Sequence, residues 1–124
     1  MNVPAEIAEL WSAGTPVVYV VTREEERAVA LCQAAATAFD ARSGVWSSNR
    51  GLEPLSPASK DPAALLEVLL EAPPPYLCVA LDFHEALGSP ALVRKLRDLL
   101  PRYSAEGRCL VVVAPRLALP EGLA

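Results

Sequence analysis

The chain has 124 residues, about the length of one domain, and it is 52% hydrophobic and 21% charged, as in a folded domain rather than a disordered tail. Its net charge is −4, with eleven basic against fifteen acidic residues and no basic run, which excludes a general nucleic-acid binder. The first residues carry no basic region, and no apolar stretch is long enough to span a membrane, so we expect neither a signal peptide nor a membrane span. We therefore expect one cytoplasmic domain over residues 1–124. The twelve prolines and single methionine fit a thermophilic source, and a GC-rich genome would give a similar bias.

Four apolar runs predict β-strands at 16–21, 44–47, 76–81 and 109–114. The first run is rich in valine and predicts a buried strand, while the second is short. None of the three long runs alternates polar with apolar residues, which is typical of a parallel sheet covered by helices on both faces.

Helical periodicity fills the intervals between these runs. The first helix, over 4–13, carries Ile7, Leu10 and Trp11 on one face, and Gly14 ends it. The second, over 24–39, has an apolar stripe made of Ala28, Leu31, Cys32, Ala35 and Phe39. Asp61-Pro62 and Ser89-Pro90 each pair an N-cap residue with proline at the first helical position, and so predict two more helices. The buried face of the last helix is predicted to contain Leu92, Val93, Leu96, Leu99 and Leu100.

This order of elements predicts an α/β fold, a three-layer αβα sandwich around a mostly parallel four-stranded sheet, P-loop or Rossmann-like but without a phosphate loop. The three cysteines, Cys32, Cys78 and Cys109, are far apart and lie in apolar runs. We expect them to be buried and reduced, rather than metal ligands or disulfide partners.

The turn after the first strand contains no phosphate-binding motif. The six glycines fit neither GxxxxGK[ST] nor GxGxxG. Instead, Glu24, Glu25 and Glu26 open the following helix, where carboxylates stabilise the helix dipole and repel a phosphate. We therefore expect no tight ATP binding.

Asp82 and His84 follow the third long run and are the strongest candidates for chemistry. An acidic residue at the end of a buried strand holds magnesium in many nucleotide hydrolases. Ser47 would complete a Ser-His-Asp triad with these two residues, but the sequence contains no GxSxG nucleophile elbow. A receiver domain would need an acidic pair where Val21 and Thr22 stand. Hydrogen bonding to loop backbone is the commoner role of such residues.

Five segments resemble the region that precedes the ATPase module in bacterial, cyanobacterial and plastid AAA-type ATPases. They are residues 16–27, 45–47 with 50–52, 81–84, 93–99, and 112–115 followed by 119–120. The resemblance implies a P-loop-type domain without a phosphate loop, with the last strand between the first and third (order 2-3-4-1); a flavodoxin-like order, 2-1-3-4, is the alternative. It also implies that Asp82 stands at the Walker B position and that residues 22–26 replace the phosphate loop. Walker motifs and an arginine finger are absent from these residues, so ATP hydrolysis is not implied.

We thus expect a non-catalytic regulatory or interaction domain that binds a protein partner or itself, and binds no cofactor, metal, nucleic acid or membrane. The predicted interaction edge lies beyond the carboxyl ends of the strands. It contains Thr22, Arg23, Ser47, Arg50, Asp82, His84 and Arg116. One alternative is that this edge is an internal ion-pair network. Another is a small nucleotide- or metal-dependent enzyme or sensor that uses Asp82 and His84.

Overall fold

The computed structural model describes residues 3–117. Its elements are α1 (Val3–Ser12), β1 (Val17–Val21), α2 (Glu25–Ala38), β2 (Arg42–Ser47), β3 (Gly51–Glu53), α3 (Pro62–Leu69), β4 (Tyr76–Leu81), a 3₁₀ segment (Phe83–Gly88), α4 (Pro90–Glu106) and β5 (Arg108–Ala114). None of the helices in this part of the chain is long and apolar enough to cross a membrane. Residues 118–124 lie outside the described residues, and so do the motif residues 119–120 of the resemblance.

The strands form one sheet in the order β1-β5-β4-β2-β3. β1, β5, β4 and β2 are parallel, with β5 between β1 and β4. This confirms the α/β fold and the 2-3-4-1 order that the resemblance implied, and it excludes the flavodoxin-like order. The prediction of four strands was wrong, because β3 adds a fifth strand, antiparallel to β2.

β3 is too short to give a periodic signal. Contacts with the turn before it and the loop after it hold it in place. Gly51 turns the chain with a φ of 69°, a left-handed conformation that glycine adopts without strain. Leu52 and Ser56 then exchange two backbone hydrogen bonds of 3.0 and 2.7 Å. The indole N–H of Trp46 donates to the Ser59 carbonyl at 2.7 Å and ties this loop to β2.

Alternate residues of the central strands pack into two apolar clusters on opposite faces of the sheet. On β4, Tyr76, Cys78 and Ala80 face α3 and α4. Leu77 and Val79 face the other way, toward α1 and α2. Both faces are therefore covered, as the absence of alternation predicts.

The helices follow the predicted signals with three differences. Ser89 caps α4 by accepting from the Leu92 N–H at 3.3 Å, whereas the Asp61 side chain makes no capping hydrogen bond at α3. α4 runs beyond Leu100 to Glu106, so its buried face also includes Tyr103. On α1, Ile7 and Trp11 are buried, but Leu10 is 44% exposed.

The first strand is less buried than predicted. β1 is at the edge of the sheet, where it has one neighbouring strand instead of two, so Val17 to Val20 are half-buried and Val21 is exposed. All three cysteines are buried and free, as predicted. Burial raises the pKa of Cys32 to about 11 and that of Cys109 to about 12, so all three thiols stay protonated at neutral pH.

Candidate functional site at the carboxyl ends of the strands

The parallel order brings the four predicted loop segments to one edge of the sheet. The N–H of Thr22, after β1, donates to the Ala114 carbonyl at 2.8 Å, and the N–H of Asp82, after β4, donates to Val113 at 3.2 Å. The ends of β1 and β4 therefore flank the end of β5, and β2 lies beyond β4. All seven predicted residues belong to this edge, although His84 lies beneath its surface.

The turn between β1 and α2 occupies the place of a phosphate loop. The N–H of Glu24 donates to the Thr22 hydroxyl at 3.1 Å, so one donor at the start of α2 already has a partner. Glu25 and Glu26 lie in the first helical turn. The cavity beside this turn measures about 190 Å³, smaller than the roughly 300 Å³ at which ligand pockets begin.

Asp82 has a left-handed backbone conformation with a φ of 58°, uncommon for a residue other than glycine. Its carbonyl accepts from the Glu85 N–H at 3.3 Å, which closes the first turn of the 3₁₀ segment. The carboxylate is exposed. Asp82 therefore ends β4 and starts the 3₁₀ segment.

His84 is only 6% exposed, and its Nδ1 has no hydrogen-bond partner among the described residues. Phe83 beside it is fully buried and meets Trp46 edge-to-face, with ring centroids 5.6 Å apart. The sequence predicted His84 as a surface residue, and this was wrong because the compact 3₁₀ segment turns it inward. A buried polar atom without a partner is uncommon and costs stability.

The remaining predicted residues lie in turns at the surface. The Ser47 hydroxyl accepts from the Arg50 N–H at 3.2 Å, which shapes the turn between β2 and β3. The Arg116 carbonyl accepts from the Tyr19 hydroxyl at 2.8 Å. The guanidinium groups of Arg23, Arg50 and Arg116 are on exposed residues.

No ion-pair network holds this edge together within residues 3–117. Glu24 pairs with Arg27 at 3.5 Å, and both side chains are exposed. The other ion pairs belong to α4 and its neighbours, for example Lys95 with Glu67 at 2.5 Å. Arg23, Arg50 and Arg116 form no ion pair with another residue of this range, so the alternative of an internal network has no support there.

Sequence reasoning missed a cleft next to this edge, between the starts of α3 and α4. Its volume is about 380 Å³. It is lined by Asp61, Pro62, Ala63, Ala86, Ser89, Ala91, Leu92 and Lys95. Asp61-Pro62 and Ser89-Pro90 predicted where the two helices start. The packing of α3 against α4, which the sequence does not show, brings the two helix starts together.

Sequence reasoning also missed the buried Arg108, whose role is structural. It starts β5 at the opposite edge and is only 6% exposed. Its Nε and Nη2 donate to the Ala72 carbonyl at 3.1 and 2.8 Å, and Glu106 provides the counter-charge. Among the described residues, no group of three or more histidine, cysteine or acidic side chains is placed to hold a metal ion.

A mostly parallel sheet in which β5 inserts between β1 and β4, with a carboxylate-bearing turn in place of the phosphate loop, defines a P-loop-like α/β fold without a phosphate loop. The family model for the N-terminal domain of SpoVK-like AAA ATPases matches residues 3–124, and the chain belongs to this family. No curated protein and no solved structure matches the chain.

Proposed function

We propose that this domain is a non-catalytic interaction module of the AAA-ATPase system, which acts by protein contact at the carboxyl edge of its sheet. One observation supports the proposal. A P-loop domain exposes free N–H groups to phosphate after its first strand. In this domain the Glu24 N–H there donates to the Thr22 hydroxyl, and two further glutamates lie in the first turn of α2. Carboxylates at this position repel a phosphate, which supports recognition of a protein rather than a nucleotide at this edge.

The exposed side chains of this edge suit recognition of an acidic protein surface. Arg23, Arg50 and Arg116 are exposed, and none is engaged by a carboxylate within the described residues. Arginine pairs with carboxylates through two parallel hydrogen bonds, which gives both affinity and orientation. The partner is therefore expected to present carboxylates, and the ATPase module of this family is the first candidate.

The test is capture of partners from native lysate by the tagged chain, compared with Arg23→Ala and Arg50→Ala. Arg97→Ala on α4 is the matched control, because Arg97 is exposed and lies on another surface. We expect each edge variant to lower capture roughly tenfold at an unchanged melting temperature. Normal capture by both edge variants would overturn the assignment. Because His84 is buried, His84→Ala reports on folding and is unsuitable as a surface variant.

A second measurement addresses the nucleotide. Isothermal titration with Mg-ATP is expected to show no tight binding, since the cavity beside the β1–α2 turn is small and flanked by Glu24. A low-micromolar dissociation constant would contradict the proposal. It would favour a nucleotide sensor or a small enzyme that uses Asp82 and His84, for which the unpartnered Nδ1 of His84 is the one supporting observation.

A further inference from the structure

A cavity lies at the amino edge of the sheet, opposite the carboxyl edge described above. Its volume is about 490 Å³, within the roughly 300–1,000 Å³ that small-molecule sites occupy. The starts of β2 and β4 meet there with the end of β3, which runs antiparallel to β2. The described residues that line this amino-edge cavity are Arg42, Ser43, Pro54, Leu55, Pro73 and Tyr76.

Arg42 gives the cavity a positive charge. It is exposed, and its guanidinium forms no ion pair with another residue of the range 3–117. In the parallel register of β2 and β4, Arg42 is the Cα partner of Tyr76, so the two side chains leave the sheet on the same face. A ligand in the cavity therefore meets the guanidinium and the tyrosine side by side.

Tyr76 lines the cavity and has an unused hydrogen-bonding group. The residue is only 3% exposed, and its hydroxyl has no hydrogen-bond partner among the described residues. Buried tyrosine hydroxyls normally have a partner. The neighbouring Gly44 leaves space for this hydroxyl, because a Cβ there would overlap it. The chain thus makes room for the hydroxyl without supplying its partner, which favours a polar group from outside the chain.

The other walls of the cavity indicate what the rest of the ligand is made of. Pro54, Leu55 and Pro73 are apolar, and Leu55 is 42% exposed. Arginine binds a carboxylate through two parallel hydrogen bonds, and a tyrosine hydroxyl donates a further one. A single guanidinium, with the exposed carboxylate of Glu53 next to Pro54 in the chain, favours a monoanion over a phosphate dianion.

We propose that the amino-edge cavity binds an organic carboxylate with an apolar body. Arg42 pairs with the carboxylate, and the Tyr76 hydroxyl donates to it. The apolar body packs against the two prolines and Leu55. The carboxylate belongs either to a free small acid or to the C-terminus of a peptide, and the test separates these two sources. The cavity and the carboxyl edge lie at opposite ends of the strands, so the inference does not depend on the proposed function.

The test is a titration of the isotope-labelled full chain, followed by amide NMR. Phenylacetate is expected to shift the amides of Ser43, Leu55 and Tyr76 and to saturate in the millimolar range, as a ligand of about ten non-hydrogen atoms does. Acetate lacks the apolar body and phenylacetamide lacks the charge, so each should bind at least about tenfold more weakly. Acetyl-Ala-Ala-Phe with a free C-terminus binds more tightly than phenylacetate if the source is a peptide, and more weakly if it is a free acid.

Two variants connect the binding to the side chains that carry the proposal. Arg42→Gln removes the charge of an exposed residue and should weaken phenylacetate binding about tenfold. Tyr76→Phe should weaken it several-fold without loss of stability, because only the unpartnered hydroxyl is removed. Arg97→Gln is the matched control, since Arg97 is exposed and forms no ion pair within residues 3–117. Urea titration checks that all three variants are folded.

Three outcomes overturn the proposal. The first is that none of the probes shifts the amides at the amino-edge cavity up to about 10 mM. The second is that phenylacetamide binds as tightly as phenylacetate, because the site would then not recognise a carboxylate. The third is that Arg42→Gln and the Arg97→Gln control bind phenylacetate equally well.

Discussion

At one edge of the sheet, β3 is three residues long and the chain folds back over it, whereas at the other edge β1 is five residues long and lies beside β5. Leu52 on β3 is fully buried, and Val21 on β1 is half exposed. The loop after β3 bonds back to the sheet through Ser56 and Ser59, whereas the turn after β1 bonds to the end of β5, through the Thr22 N–H and the Ala114 carbonyl. Among the described residues, β3 is therefore held on both sides, by β2 and by the loop at Ser56, whereas β1 is held to the sheet through β5.

Gly51→Ala should give the largest effect, because it opens the closed edge. Gly51 has a φ of 69°, and a Cβ at this position would overlap the backbone carbonyl of Pro57. The strained conformation and the overlap together should cost about 2–6 kcal/mol of unfolding free energy, measured by urea titration. Gly88→Ala is the control, since a Cβ there meets nothing within 4 Å. Equal stability of the two variants would show that the loop does not hold β3.

Two neighbouring proline substitutions measure how β1 uses its backbone. Val20 donates toward β5, so Val20→Pro should cost about 3 kcal/mol through the lost bond and distortion of the strand. Val21 points away from β5, so Val21→Pro should change the stability of the chain by less than about 1 kcal/mol. Thermal unfolding of both variants checks this. Similar losses would mean that the outward groups of β1 have partners elsewhere in the chain.

Next to the closed edge, two buried tyrosines allow a finer test. The Tyr103 hydroxyl donates to the Leu66 carbonyl at 2.6 Å, whereas the Tyr76 hydroxyl has no partner among the described residues. Tyr103→Phe should therefore cost about 1 kcal/mol, and Tyr76→Phe should be neutral or stabilising.

Gly44 on β2 completes this comparison, because a Cβ there would overlap the Tyr76 hydroxyl. Gly44→Ala should cost about 1–3 kcal/mol, and Tyr76→Phe in the same chain should restore part of that loss. Strictly additive effects in the double-mutant cycle, measured by urea titration, would contradict the contact.

How much of this could be predicted from sequence depends on how local each feature is. The parallel strands were predictable because a strand such as β4 has apolar residues on both faces, with Leu77 and Val79 on one of them. The positions of the two helix starts followed from Asp61-Pro62 and Ser89-Pro90. The strand order required the family resemblance, because periodicity carries no information about which strands are neighbours.

The failures arise from contacts between residues far apart in the sequence and from local turn geometry, neither of which hydrophobic periodicity encodes. β3 depends on the bond between Trp46 and Ser59, thirteen residues apart. His84 is buried only because the chain after β4 forms a 3₁₀ segment. At the candidate site, the sequence placed the loops at the correct edge because strand direction determines that edge. It did not predict which side chains face solvent, since this depends on the turn geometry.

The smallest expected effect at neutral pH is on the rate of thiol labelling. This rate shows whether a substitution at an edge strand makes the buried core accessible to solvent. Cys78 and Cys109 lie on the two central strands and Cys32 on α2, all buried. Labelling should be slow in the wild type and in Val21→Pro, complete in denaturant, and faster in Gly51→Ala. Since burial raises the pKa of Cys32 from 9.0 to about 11, this thiol stabilises the fold fully below pH 9, and that contribution is lost as the pH rises through about 11. Urea titrations between pH 8 and 11 should therefore show falling stability, and less so in Cys32→Ala. Rapid labelling of the thiols in the wild type at pH 7 would mean that the core becomes accessible to solvent without any change at β3.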